Sequence, residues 1–71
     1  VEFYFSLRVS YDDFLPYYQG TASKVLVKDS QGRELLINGR YFRPFVNSLG
    51  VNGHFKLCLD NQGNFLALEQ V

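Results

Sequence analysis

His54 and Cys58 are the only histidine and the only cysteine of the chain, so a Cys–His nucleophile and base would have to be this pair. Both fall in the alternating segment His54–Asp60, which reads as one strand. At roughly 3.3 Å per residue they stand about 13 Å apart on the same face, which excludes a dyad. His54 then reads as a surface or loop-edge residue and Cys58 as a small apolar residue on a sheet face. One His and one Cys cannot build a zinc site, and the carboxylates fall at separate turns and caps. Asp12 and Asp13 follow Ser10 as the first turn of a capped helix would have them, so capping accounts for both. Neither the dinucleotide fingerprint nor the P-loop spacing occurs. Gly50-Val-Asn-Gly53 leads into a strand rather than joining two helices, so it reads as a turn. No enzymatic activity, cofactor or metal is expected.

Binding chemistry is better supplied. Arg40–Val46, reading Arg-Tyr-Phe-Arg-Pro-Phe-Val, places two arginines and three aromatics in seven residues around a proline. The chain is neutral overall, yet Lys24 to Lys56 carries a surplus of four positive charges and the remainder the matching negative surplus. The candidate binding residues are Arg40, Tyr41 and Arg43, with Lys24, Lys28, Arg33 and Lys56. Tyrosines at positions 4, 11, 17, 18 and 41 exceed what so small a core can bury, and surface Tyr and Arg suit protein interfaces. A protein partner is therefore favoured, with a monomer or a weak homodimer through a sheet edge. The alternative is single-stranded nucleic acid or a small anion, held by Arg40, Arg43 and the neighbouring basic and aromatic residues. Zero net charge argues against strong nonspecific binding to nucleic acid.

The elements that must position these residues follow from periodicity. Seventy-one residues make one domain, 46% apolar and rich in Phe, and one Cys allows no internal disulfide. Val1–Val9 alternates, with Val1, Phe3, Phe5, Leu7 and Val9 on one face, and predicts a half-buried strand. From Ser10 the pattern predicts a short helix with Phe14, Leu15 and Tyr18 inward, kinked or split at Pro16 and capped by Gly20. Two hairpins follow, over 21–38 and 54–71, turning at Asp29-Ser-Gln-Gly32 and Asp60-Asn-Gln-Gly63. Phe65–Leu68 is apolar on both faces, which predicts a central or barrel-closing strand. Between the hairpins, Pro44 and its aromatics predict a 3₁₀ turn that carries Tyr41, Phe42 and Phe45 into the core, followed by a loop with Leu49 or Val51 pinned inward. The expected fold is mainly β (α+β). Its five strands form a bent antiparallel sheet or a partly open small barrel, with one short helix after strand 1 and the 3₁₀ turn between the hairpins. An open sheet with the helix across one face is the alternative.

The same order of motifs resembles a family of short bacterial proteins, the domain of unknown function 2835. The likeness is carried by Phe3-Tyr-Phe-Ser-Leu7, Ser10-Tyr-Asp-Asp-Phe-Leu-Pro-Tyr-Tyr18, Gly20, Gly32-Arg33, Arg43-Pro-Phe-Val46, Gly50-Val-Asn-Gly-His-Phe55 and Phe65-Leu-Ala-Leu-Glu69. It spans the chain and implies a standalone, cytoplasmic bacterial protein with no established activity and no functional residues to carry over. No apolar run approaches the roughly 18 residues of a membrane span, and no signal-peptide pattern opens the sequence.

Overall fold

Alternation produces β1 (Glu2–Val9): Phe5 is buried, Phe3, Leu7 and Val9 are half-buried, and Glu2, Tyr4, Ser6 and Arg8 face solvent. The computed structural model describes residues 1–71. In it β1 pairs antiparallel along its whole length with β4 (Val51–Leu59), placing Phe5 opposite Phe55 and Ser6 opposite His54. β4 starts earlier than His54 because Asn47 and Gly50 close a tight turn with reciprocal backbone bonds of 2.9 Å. Val51 leaves that turn fully buried, whereas Leu49 projects into solvent.

The helix α1 (Tyr11–Gln19) opens at Ser10, whose hydroxyl accepts from the Asp13 N–H at 3.2 Å, and closes at left-handed Gly20. Pro16 does not split it; the missing N–H lies on the exposed side of a short helix. The Pro16 carbonyl gathers the N–H groups of Gly20, Thr21 and Ala22 and the Thr21 hydroxyl. This wrapping keeps Thr21–Ser23 out of the strand that the sequence suggests, so β2 is Lys24–Lys28. The expected inward Tyr18 is also corrected. Tyr17 packs inward with Phe14, their rings 5.8 Å apart, while Tyr18 is exposed.

β2 pairs with β3 (Glu34–Asn38), burying Val25, Val27 and Ile37 and turning Leu26 and Leu36 outward. The two hairpin turns share one geometry. In each, the aspartate Oδ1 accepts from the residues two and four positions on: Asp29 from Gln31 and Arg33, Asp60 from Gln62 and Asn64. The glycine of each turn sits at φ 82° or 84°, a left-handed conformation that side chains with a Cβ resist.

The strands form two sheets, β1-β4-β5 and β2-β3, where β5 is Phe65–Gln70. On one side they meet: Ser30 N–H donates to the Tyr4 carbonyl at 2.8 Å and Phe5 bridges to Asp29. On the other side β3 and β5 are edge strands with no bond between them, so the sheet is bent but not closed. The mainly β fold, the single α-helix and the 3₁₀ turn are as the sequence predicts. The central role expected of the last strand is not. β4 is central and β5 lies at an edge; its apolar run comes instead from a β-bulge that inserts Leu66 between the pairs Leu59–Phe65 and Cys58–Ala67. The bulge switches the strand's parity. Phe65 and Leu68 thus both pack against the core, while Leu66 is exposed.

The 3₁₀ helix η1 (Gly39–Phe45) plugs the space between the sheets. Phe42 is fully buried and meets Phe5 and Phe55 edge-on, at 6.2 and 5.6 Å between ring centres. Phe45 adds a further edge contact to Phe55 at 5.3 Å. Such aromatic pairs contribute about 0.5–1.5 kcal/mol each beyond the area they bury. No helix is long and apolar enough to cross a membrane.

Candidate binding groove at the open edge

η1 starts where Asn38 Oδ1 accepts the Arg40 N–H at 3.0 Å and where Gly39 N–H donates to the Ser23 carbonyl. Gly39 is buried against α1, and a Cβ there would sit 2.8 Å from the Tyr17 Cβ. The close approach fixes where Arg40 and Tyr41 emerge. Tyr41 stacks face to face on Phe65, 3.7 Å between centres and 3° between planes. The Arg40 guanidinium lies over the Tyr41 ring at 5.1 Å and donates to the Tyr41 hydroxyl at 3.2 Å.

Arg40 and Tyr41 thereby line a groove of about 420 Å³ beside the free edge of β3. Leu35, Ile37, Leu57, Leu59 and Phe65 give it an apolar lining, and Lys24, Glu34 and Leu36 also border it. The backbone pairings Asp29–Arg33 and Ser23–Gly39 set the alternation along the hairpin. By that alternation the N–H and C=O groups of Glu34 and Leu36 point away from β2, towards the groove side. Neither Arg40 nor Lys24 has a carboxylate partner.

The other sequence candidates do not join them. Arg33 donates from Nε to Asp29 Oδ2 at 2.7 Å and lies over the Phe3 ring at 4.5 Å. Burial pushes the Asp29 carboxyl up, but bonds from the Arg33 N–H, the Arg33 side chain and the Gln31 N–H outweigh it and hold it below its ordinary value. Lys56 sits between Glu69 and Glu2, at 3.4 and 3.8 Å, and its ammonium is held above its ordinary value chiefly by Glu69. Arg43 donates from Nη2 to the Tyr18 carbonyl at 2.8 Å. Lys28 borders a separate cleft of about 460 Å³ together with Tyr4, Ser6 and His54.

One pairing escaped sequence reasoning. Ser6 Oγ and His54 Nδ1 share a hydrogen bond of 2.7 Å across the exposed face of β1 and β4. Nothing orients the second imidazole nitrogen, so the arrangement lacks the third member that activates a Ser–His couple. Only the register of β1 on β4, which alternation alone does not fix, would have revealed it. Cys58 is half-buried opposite Glu2 and Ala67. No group of three or more His, Cys, Asp or Glu side chains converges as metal ligands would.

The model of one protein family, described as protein of unknown function (DUF2835), matches residues 1–71. The chain belongs to that family. No curated protein and no solved structure matches it. Membership in DUF2835 assigns no activity, so a functional reading of the chain rests on its own geometry.

Proposed function

We propose that this DUF2835 domain is a non-enzymatic binding module that takes an extended segment of a protein partner along the free edge of β3. The observation that carries this reading is the coincidence, in one groove, of an unpaired strand edge, an apolar lining and two cations without carboxylate partners. A strand laid against β3 would bond to the outward groups of Glu34 and Leu36. It would set alternate side chains on Leu35, Ile37, Leu57 and Leu59, and its other side chains near Lys24 and Arg40. Alternating apolar and acidic residues fit that lining. Nucleic acid or a free anion fits less well. Arg33, Arg43 and Lys56 already have partners, and Tyr41 has Phe65 on one face and Arg40 over its ring. Selection from a random peptide library tests the reading. Enriched peptides should alternate apolar and acidic residues and bind Arg40→Ala about tenfold more weakly, as loss of a charge-assisted contact implies. Failure to enrich any sequence, or binding indifferent to both Arg40→Ala and Lys24→Ala, would contradict it.

A further inference from the structure

The outward face of the β2-β3 hairpin adjoins the groove, sharing Leu36 and Glu34 with its border, and extends beyond it to Leu26 and Lys28. On its outward face Leu26 and Leu36 are cross-strand partners, 59% and 66% exposed. Lys28 and Glu34 stand opposite each other at one end of this pair, and Lys24 and Asn38 at the other. Lys28 and Glu34 form no ion pair with each other or with any other side chain. Two adjacent leucines in solvent, bordered by an unpaired cation and an unpaired anion, make a small self-complementary patch.

We infer that this face docks a second copy of the chain, the two hairpins meeting face to face about a two-fold axis parallel to their strands and midway between β2 and β3. That operation lays Leu26 of one copy over Leu36 of the other, so that four leucines leave water together. It also brings Lys28 over the partner's Glu34, and by symmetry Glu34 over the partner's Lys28. Isologous contacts of this kind are the usual form of a homodimer. A two-fold axis across the strands would instead place Lys28 over the partner's Lys24, so charge selects the parallel axis. The patch is smaller than the roughly 800 Å² per partner of a standard interface, so the dimer is weak, dissociating in the micromolar-to-millimolar range. It forms through a sheet face, not through the strand edge that the sequence suggested.

Sedimentation velocity from micromolar to millimolar protein tests this. The chain should shift from monomer towards dimer over that range. Leu26→Glu should abolish the shift, and because Leu26 does not line the groove, peptide binding there should be unchanged. Lys28→Glu or Glu34→Lys alone should weaken the dimer about tenfold, since two attractive rim pairs become repulsive, and the double exchange should restore it. Arg40→Ala should leave dimerisation untouched. A chain that stays monomeric at millimolar concentration would overturn the inference. So would a dimer that survives Leu26→Glu, or one that the double charge exchange does not rescue. These outcomes are independent of whether the groove binds peptide.

Discussion

Arg43 donates from Nη2 to the Tyr18 carbonyl at 2.8 Å, and its guanidinium lies over the Tyr18 ring, 5.4 Å from the centre. The last turn of α1 contains no basic residue, so Arg43 brings from η1 the positive charge that a helix C-terminus favours. An arginine that looks free in the sequence therefore ties η1 to α1, while Arg40, three residues earlier, reaches the groove.

The division of labour between these two arginines is measurable. Arg43→Ala should destabilise the fold by about 1 kcal/mol in urea titration and leave peptide binding unchanged. Arg40→Ala should do the reverse, leaving the unfolding midpoint near that of the wild type.

Phe42 carries the packing of η1. It is fully buried among Phe5 and Phe55, so Phe42→Ala should cost about 3–5 kcal/mol, enough to threaten folding of a chain this short. Leu49→Ala, at a residue 75% exposed, should lie within about 0.5 kcal/mol of wild type by the same measurement.

Gly39 sets the distance between α1 and η1. Gly39→Ala would press a methyl group to 2.8 Å from the Tyr17 Cβ, so one of the two helices must move. Denaturant unfolding should show a loss of about 1–3 kcal/mol, the usual range for overpacking. Ser48→Ala, at an exposed position of the Asn47–Gly50 turn, is the control and should be near neutral.

The twin turns should govern the acid limb of stability. Asp29 is held below its ordinary value of 3.8 because the bonds from Arg33 and Gln31 outweigh burial; Asp60 is held below it chiefly by bonds from Asn64. Both contribute stability that is fully present above the ordinary value and is lost as pH falls through the folded-state values, because the unfolded chain there binds more protons. Asp29→Asn with Asp60→Asn should flatten the fall in melting temperature below about pH 4. Lys56 has the opposite sign. Its value is raised, so its contribution is complete below 10.5 and is lost as pH rises through the folded-state value; Lys56→Met should flatten only the alkaline limb.

The features legible in the sequence were those fixed by short-range chemistry. Val1–Val9 alternates, Ser10 and Gly20 bracket a helix, and Asp-x-x-Gly recurs because one aspartate side chain can satisfy two turn N–H groups. The Arg33–Asp29 pair is equally local, yet by sequence Arg33 reads as a binding candidate and not as the partner of Asp29. What else escaped depended on partners distant in sequence. Tyr18 reads as inward until η1 packs Gly39 against Tyr17, which takes the inward place and leaves Tyr18 exposed. Phe65–Leu68 reads as doubly buried because a bulge and a central strand leave the same apolar run. Ser6 meets His54 only through the pairing of β1 with β4. The groove has the same origin: Arg40 and Tyr41 stood out by type, but Leu57, Leu59 and Phe65 join them only when η1 packs between the sheets.

The central claim is that the open edge of β3 accepts an extended acidic-apolar strand. Titration of the ¹⁵N-labelled protein with an acetylated Val-Glu-Val-Glu-Val peptide, followed by amide chemical shifts, tests it most directly. The account predicts saturable shifts along Glu34–Asn38 and at Arg40, Tyr41 and Phe65, abolished by Arg40→Ala. Shifts absent from β3, or confined to the opposite cleft around Ser6 and His54, would contradict it.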